Sequence, residues 1–475
     1  NGTKIGNIIN ITYICKIIIN KYEVKMKDNR SLQLSIEINE LMDRDLASIF
    51  YEFYPFEIIE QYKKFKERDR VYNPSNTMLT MIITMMQADK SLQNSVNIYN
   101  TIHNKNRERI TEIETGYQQS IKQAEKRKRG RPSKHRIKVQ KSKKEEISRN
   151  TSAYTQARQR LSIELSRAVF RDSVRSVEPS MATRFYGREV YLTDGTFLQL
   201  QDTELIREKY KNSTQEGYPR GLLEVIVQQD TGLITNFEIE SDKKSELELL
   251  IRMISGIKPK SLLLADDLYN CFSIFVKLKK QGVDIIVPGK RKRIYKVIEK
   301  IAQGDEIVRI ASSNETSKMY KKFNIEEKSI EIRRIQVANP NNEKEDIVLY
   351  TSLLDKKISK EEILIKYLTR WDIEINIREI KAILGMSVIR SKSPEMIVKE
   401  VTSGLIAYNY IRRIIANSAL KGNFSPETDI FQKFYQASSP ILLDKLGRVY
   451  SRWSPGRNGG INKTNNAAQS IATSG

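Results

Sequence analysis

Residues 189–196 read EVYLTDGT, and they open a region of short apolar runs that are rich in leucine and β-branched residues. Runs of this composition, punctuated by glycine, predict β-strands. Four more follow, at 222–228, 233–239, 261–265 and 284–287. Helical patterns at 246–256 and 271–281 flank the fourth strand. Three successive strands followed by alternating helix and strand predict a mixed sheet with helices packed on it.

The sequence on either side of this region has a different character. Before it, residues 38–110 repeat apolar positions at helical spacing, and the turn at 72–76 (YNPSN) precedes a helix N-cap. A second helical stretch begins at Thr151. After the region, residues 290–358 are basic and strand-leaning. Two amphipathic helices are expected beyond them, at about 360–383 and 394–418.

Composition narrows the class of protein. The chain has 475 residues with 81 Lys and Arg against 58 Asp and Glu, a net charge of +23, and 39% hydrophobic residues. It can therefore bury real cores, in two to four domains, and wholesale disorder is excluded. Cys15 and Cys271 cannot form a disulfide framework, and two histidines (His103 and His135) exclude most zinc sites. These features predict a cytoplasmic protein with a polyanionic partner, nucleic acid first and an acidic membrane surface second.

Both ends of the chain have unusual composition. Residues 8–19 are apolar but too short to span a bilayer, and the first Met is Met26. We interpret 1–25 as an upstream extension or a disordered segment, with a buried N-terminal strand as the alternative. The stretch 454–475 is rich in Gly, Asn, Ser and Thr and is expected to be disordered.

A basic run at 121–144 holds twelve Lys or Arg and one Glu, and so supplies nearly half of the net charge. A solvated linker is the simplest interpretation. Within the run, however, Arg129-Gly130-Arg131-Pro132 has the pattern of an AT-hook. In such a hook, Gly permits close backbone approach, Pro keeps the chain extended, and the arginines follow the negative potential of a narrow minor groove. We therefore predict that these four residues contact DNA.

Three carboxylates are candidates for a metal-dependent phosphoryl-transfer site. Asp194 is expected at the end of the first strand, Asp266 at the end of the fourth, and Glu374 on the first long helix. Adjacent strand ends and a helix packed beside them can hold such oxygen ligands around Mg²⁺ or Mn²⁺. A role in a turn or a helix cap is the alternative for any one of them.

The helix around Glu374 strengthens this prediction. Tyr367, Arg370, Glu374 and Lys381 have the spacing Y-x2-R-x3-E-x6-K, and in a regular α-helix they fall within roughly a 60° arc. A hydroxyl, a guanidinium and an ammonium around one carboxylate suit a DNA backbone held beside a metal ligand. An ordinary ion-paired helix face is the alternative. Trp371 would be rotated about 100° from Arg370, which predicts core packing for it.

With these residues the chain resembles the DDE transposases of bacterial insertion sequences, specifically the insertion-sequence-four family with its Y-R-E-K signature. The resemblance covers roughly 150–420. Its motifs are Ser152–Arg158, Asp194-Gly195-Thr196, Gly217-Tyr218-Pro219, Leu264-Ala265-Asp266, Tyr367 through Lys381 with Gly385-Met386, Arg390, Ser393–Met396 and Lys399-Glu400. Asp267 stands where the family usually has Arg, so either Asp266 or Asp267 is the second ligand, and position favours Asp266.

The resemblance implies an α/β fold, in which a ribonuclease-H-like mixed sheet with flanking helices is interrupted by a β-rich insertion and preceded by a helical N-terminal domain. The implied segments are a DNA-end-binding domain (26–120), an AT-hook-like linker (121–150), the first part of the core (151–289), the insertion (290–358), the second part of the core (359–420) and a C-terminal segment (421–475).

The resemblance also implies cut-and-paste transposition of an insertion sequence by a homodimer that binds terminal inverted repeats. Two Mg²⁺ ions, for which Mn²⁺ may substitute, would be held by Asp194, Asp266 and Glu374. They would support strand cleavage, a hairpin intermediate and strand transfer into target DNA. Tyr367, Arg370 and Lys381 would contact phosphates and the hairpin. A flipped base would stack on an aromatic residue of the insertion, for which Tyr295, Tyr320 and Phe323 are the candidates.

Two alternatives stay open at this point. One is a catalytically inactive DNA-binding protein that descends from such an enzyme, and the other is a nuclease without strand transfer. The complete set of acidic residues and signature residues argues against the first. The basic insertion argues against the second.

Overall fold

The computed structural model describes residues 55–62, 71–87, 89–100, 149–174, 184–210, 217–289, 293–312, 317–338 and 346–422. The predictions about the N-terminal extension, about the basic run with Arg129, Gly130, Arg131 and Pro132, and about the tail at 454–475 lie outside these residues.

One mixed sheet organises the described part of the chain. Its nine strands are β1 (Glu189–Gln199), β2 (Arg220–Gln228), β3 (Ile234–Ser241), β4 (Ser261–Leu264), β5 (Val283–Pro288), β6 (Tyr295–Ala302), β7 (Asp305–Ala311), β8 (Ser329–Ala338) and β9 (Asp346–Thr351). They lie in the order β3-β2-β1-β4-β5-β9-β8-β7-β6. The pairs β1–β4 and β4–β5 are parallel, and the remaining pairs are antiparallel. The order β3-β2-β1-β4-β5, in which β1, β4 and β5 are parallel and β2 is antiparallel to its neighbours, is ribonuclease-H-like.

Helices cover both faces of this sheet. They are α1 (Phe56–Gln61), α2 (Pro74–Met85), α3 (92–100), α4 (Ser152–Arg160), α5 (Ile163–Ser173), α6 (Glu204–Lys209), α7 (Glu246–Met253), α8 (Phe272–Gln281), α9 (Ser317–Phe323), α10 (Lys360–Leu368), α11 (Asp372–Arg378) and α12 (Pro394–Gly422). The predicted N-cap before α2 is Asn73, whose side chain accepts the N–H of Asn76 at 2.8 Å. Within the described ranges, none of these helices is both long and apolar enough to cross a membrane.

The first strand is longer than the sequence predicts. β1 does not end before Asp194 but continues to Gln199, because β2 pairs with it from Tyr191↔Gln228 to Gln199↔Arg220. Gly195 therefore lies inside a strand rather than in a turn. Asp194 is a mid-strand residue, and the prediction that it ends the strand is wrong.

Alternate residues of the central strands face two separate cores. Leu192 and Leu264 belong to a first core that includes Ile373 of α11 and Leu405 of α12. Tyr191 and Leu263 belong to a second core with residues of α7 and α8. Because side chains alternate along a strand, the parity of a residue decides which helices it meets.

The β-rich stretch at 290–358 is continuous with the central sheet. β9 pairs antiparallel with β5, and β8, β7 and β6 follow outward from it. A buried ion pair holds this extension: Arg333 donates from Nε to Oδ1 of Asp305 at 2.7 Å and from Nη2 to Oδ2 of the same carboxylate at 2.5 Å. Removing either partner would leave an uncompensated buried charge.

The long helix expected at 360–383 is helical throughout but irregular. A capping box of Ser359 and Glu362 starts α10, and a 3-10 turn (Thr369–Trp371) joins it to α11. A π-turn (Glu379–Ile383) follows, and Gly385, with φ of 60°, ends the helical run. Because 3-10 and π turns advance by different angles from an α-helix, they change which side chains share a face.

Candidate active site

The two aspartates come together through the register of parallel strands. Leu192 of β1 pairs with Leu264 of β4, so Asp194 and Asp266 occupy the next equivalent positions two residues further on. Neighbouring strands lie about 4.8 Å apart, and both residues share the parity of the first core. Asp194 therefore lies on the sheet face against which α11 packs, and Asp266, just beyond the end of β4, is close enough to act on the pKa of Asp194. Asp266 also caps a short turn, since its Oδ1 accepts the N–H of Leu268 at 2.8 Å.

Negative charge accumulates around Asp194. Its pKa is raised to about 6, chiefly by burial, and the nearby carboxylates of Asp266 and Glu374 contribute to this rise. The N–H of Gly195, which donates to its Oδ1 at 2.9 Å, and the guanidinium of Arg370 act in the opposite direction. Like charges gathered in a partly buried place favour the neutral acid unless a cation compensates them.

A second acidic group lies behind the strand, and the sequence analysis missed it. A β-carbon on Gly195 would lie 2.5 Å from Cδ of Glu246, so only glycine allows this approach. Tyr269 donates its hydroxyl to buried Glu224 at 2.8 Å and lies 3.4 Å from Glu246. Burial raises the pKa of Glu246, with Asp194 and Asp266 as further causes. Gly195 was the available sequence signal, but a glycine next to an expected strand end indicates a turn and not a close approach of another side chain.

The signature helix places Tyr367, Arg370 and Glu374 beside the aspartates. Arg370 is only 9% exposed, and its Nη2 lies 3.5 Å from Oε1 of Glu374, whose side chain is 47% exposed. Burial raises the pKa of Tyr367 to about 12, with Arg370 and Asp266 among its electrostatic neighbours. Within the described part of the chain, the buried Nε of Arg370 has no hydrogen-bond partner. Such an unsatisfied donor on a charged group suits an anionic ligand.

Lys381 reaches the first strand from the far end of the helix. Its Nζ donates to Oγ1 of Thr196 at 3.2 Å. Thr196 lies two residues after Asp194 in β1, so both side chains are on the same face of the strand, toward the signature helix. The π-turn that carries Lys381 is held from behind by a buried ion pair between Glu379 and Arg412 of α12. Tyr408 also donates to Glu379, at 3.0 Å. This network fixes the helical register at which Lys381 projects.

The regular-helix argument predicted that Trp371 packs in the core, and this prediction is wrong. It is 59% exposed, and the guanidinium of Arg370 lies over its ring, 5.1 Å from the centroid. The reason is local, because both residues belong to a 3-10 turn, where a regular 100° step does not hold. An exposed indole therefore borders the acidic site.

The three insertion aromatics are packed against the protein. Tyr295, Tyr320 and Phe323 are partly buried against the second core. Tyr320 meets Phe272 edge-on with centroids 5.7 Å apart, and Arg334 lies over the Tyr295 ring at 5.4 Å. Their role in base stacking stays a prediction, and Trp371 is the more exposed aromatic near the carboxylates.

The donor set fits a divalent metal ion in chemical type. Asp194, Asp266 and Glu374 supply hard oxygen ligands, which Mg²⁺ and Mn²⁺ prefer, and the raised pKa of Asp194 marks charge that a cation would neutralise. Among the described residues, however, no three acidic, His or Cys side chains are grouped closely enough to enclose an ion. Glu374 instead faces Arg370.

Much of the chain is similar in sequence to known proteins. Residues 185–410 match the family model described as the transposase DDE domain. The chain is 27% identical over 318 residues to the transposase InsG for insertion sequence element IS4 of Escherichia coli (strain K12). This alignment covers 62% of this chain and 71% of that protein.

A solved piggyBac transposase synaptic complex with hairpin DNA shows 9% identity and a TM-score of 0.36, and the match covers 66% of each chain. The range 185–410 that matches the transposase DDE domain model includes Asp194, Asp266 and all of Tyr367 through Lys381. The chain is thus similar to the DDE transposases, and to a transposase of the IS4 element in particular.

Proposed function

We propose that this protein is an active transposase, which cuts the ends of its own insertion sequence and joins them to target DNA at Asp194, Asp266 and Glu374. One observation carries the proposal: β1 and β4 are parallel neighbours, Asp194 lies in β1 and Asp266 just after β4, and the helix that bears Glu374 packs against β1. A structural role alone would not need unpaired like charges there.

Three carboxylates would hold the metal. Asp194 in β1 and Asp266 just after β4 would be two of the ligands, and Asp266 is favoured over Asp267 because it acts on the pKa of Asp194. Glu374, whose Oε1 lies 3.5 Å from Nη2 of Arg370, would be the third. Bound Mg²⁺ or Mn²⁺ would supply activation of the attacking oxygen and stabilisation of the leaving oxygen.

The signature side chains are proposed to hold the DNA strand. The unsatisfied Nε of Arg370 and the ammonium of Lys381 are suited to phosphate oxygens, and Tyr367 adds a hydroxyl between them. Trp371 offers an exposed ring for stacking an unpaired base. The AT-hook-like Arg129, Gly130, Arg131 and Pro132 would add salt-sensitive affinity for A·T-rich duplex DNA.

The reaction sequence is proposed from the family. Residues 26–120 would recognise the terminal inverted repeats, and two protomers would pair the two ends. Cleavage of one strand would free a 3′-hydroxyl, which attacks the opposite strand to give a hairpin. The hairpin would be reopened before the 3′-ends join target DNA.

The test is incubation of the full chain with Mg²⁺, a duplex of the inverted repeat flanking the gene, labelled on each strand in turn, and a supercoiled target plasmid. Nicks, hairpins and joined products are expected with Mg²⁺ and none with EDTA. DNA binding with no cleavage would replace the proposal with an inactive DNA-binding protein. Cleavage with no joined product would indicate a nuclease.

A further inference from the structure

A cavity of about 480 Å³ lies away from the carboxylates, between the N-terminal helices and the segment that follows the signature helix. Its walls come from α2, from the turn before α3, from α4, and from residues 390–393 with the start of α12. Met81, Met85 and Met396 give it an apolar floor. Four separate parts of the chain thus enclose a space large enough for a phosphodiester with an adjoining sugar.

The lining of this cavity is strongly cationic. Lys90, Arg158, Arg390 and Lys392 line it, against a single lining carboxylate, Glu400. That carboxylate is already occupied, because it accepts the backbone N–H of Arg390 at 3.0 Å and that of Ser391 at 2.8 Å. The charge of Glu400 acts on Lys90, but one carboxylate offsets only one of the four positive charges in the lining.

Two of the cations are partly buried and only partly compensated. Nε of Arg158 is buried with no hydrogen-bond partner among the described residues, and Nζ of Lys90 donates to the backbone carbonyl of Gln87. Burial lowers the pKa of Lys90 to about 8, with neighbouring Arg390 as a further cause. A desolvated cation whose charge is only partly compensated is costly, and an anionic ligand would lower that cost.

The cavity is tied to the candidate active site through the backbone. Gln199 at the end of β1 bonds to both sides of Val388, donating to the Ser387 carbonyl and accepting from Ile389, just before the cationic wall. Lys90 borders the glycine that ends the signature helix, since its Nζ would lie 3.7 Å from a β-carbon on Gly385. Asp194 and Gln199 are five residues apart in one strand, or roughly 17 Å at about 3.4 Å per residue.

A separation of roughly 17 Å is the axial length of about five base pairs of duplex DNA, at 3.4 Å per pair. A duplex that runs from Asp194 along β1 would thus reach Gln199, beside which the cationic wall begins. We propose that the cavity binds one backbone phosphate of the DNA end, through Lys90 and Arg158, away from the phosphate that is cut. This inference rests on the proposed function and adds a contact that fixes the register of the DNA.

The test measures the affinity of the full chain for the inverted-repeat duplex by fluorescence anisotropy, from 50 to 200 mM salt in EDTA. Lys90→Gln and Arg158→Gln are each expected to bind roughly tenfold more weakly at low salt. Each should also reduce the slope of log affinity against log salt by about 0.9, the value for one lost phosphate contact. Arg158→Lys, which keeps the charge, should retain the wild-type slope.

Lys280→Gln is the matched control, because Lys280 is an exposed lysine that pairs with Glu327 at 2.9 Å outside the cavity. It should leave affinity and slope unchanged. Phosphate-ethylation interference then locates the contact: one phosphate whose ethylation blocks wild-type binding should have no effect on Arg158→Gln. Thermal melting checks that each variant is folded, and Lys90→Gln, in a turn, is the variant least able to disturb packing.

Unchanged slopes and interference in both Gln variants, with a wild-type protein that cuts DNA, would overturn the phosphate site alone. Failure of the wild type to bind or cut would instead refute the proposed function. Inorganic phosphate provides a further arm. If it protects Arg158 from a guanidine-modifying reagent and the duplex does not, the cavity takes a free anion and the proposal is wrong.

Discussion

Replacing Asp194 by Asn should make the metal-free protein more stable while abolishing its activity. The pKa of Asp194 rises from 3.8 to about 6 in the folded chain, chiefly through burial, with Asp266 and Glu374 adding repulsion. Each pKa unit corresponds to 1.36 kcal/mol, so the ionised carboxylate costs the fold about 3 kcal/mol. Asn removes the charge and can still accept the N–H of Gly195, which Oδ1 of Asp194 accepts at 2.9 Å.

The sign of the pH dependence follows from proton binding. The folded protein binds this proton more tightly than the unfolded chain, so the cost is absent below about pH 4 and grows as the pH rises to about 6. The gain from Asp194→Asn should therefore be largest at pH 8 and shrink toward pH 4. At roughly 2–4 °C per kcal/mol for a domain of this size, the melting temperature at pH 8 should rise by roughly 6–12 °C.

Differential scanning calorimetry of both proteins in EDTA, at pH 8 and pH 4.5, measures this difference. Adding Mg²⁺ should then raise the melting temperature of the wild type and leave that of Asp194→Asn unchanged, since only the first binds the ion there. An Asn variant that is no more stable than wild type at pH 8, or whose gain is the same at both pH values, would refute the electrostatic reasoning.

Three further predictions concern packing around the site. Gly195→Ala should destabilise the fold by about 1–3 kcal/mol, because its β-carbon would meet Glu246. Adding Glu246→Ala should restore the stability measured by chemical denaturation. If stability is not restored, the strain lies elsewhere. Arg412→Leu should cost about 3–5 kcal/mol by leaving buried Glu379 unpaired, and an unchanged unfolding midpoint would argue against a buried ion pair. Trp371→Ala should leave the melting temperature within about 1–2 °C of wild type, because the indole is exposed. In anisotropy measurements it should weaken the binding of DNA that contains an unpaired base by about 1–3 kcal/mol. Equal binding by the variant and the wild type would exclude stacking.

Much of the sheet follows from local pattern. The apolar runs at 222–228 and 261–265 become β2 and β4 almost as predicted, because buried strands need continuous Leu, Ile and Val. The spacing of Tyr367, Arg370 and Glu374 also correctly indicated side chains that meet. These features depend on residues close in sequence, so composition and periodicity are sufficient to find them.

Other features depend on contacts between distant residues. Gly195 reads as a turn in sequence, yet it is a strand residue that makes room for Glu246 on another element. Trp371 reads as a core residue only if the helix is regular, and the 3-10 turn changes its direction. The cationic cavity joins Lys90 to Arg390, which lie 300 positions apart in the sequence, and no motif connects them.

The central claim is that the carboxylates on this sheet face carry out cleavage, and Glu374→Gln tests it most directly. Single-turnover cleavage of the labelled DNA end with Mg²⁺ should be lost in Glu374→Gln, while binding of that end stays within about twofold of wild type. The control is Glu361→Gln, an exposed glutamate on the first turn of α10, which should cleave at the wild-type rate. Cleavage by Glu374→Gln at a rate near that of the control would contradict the assignment of the active site.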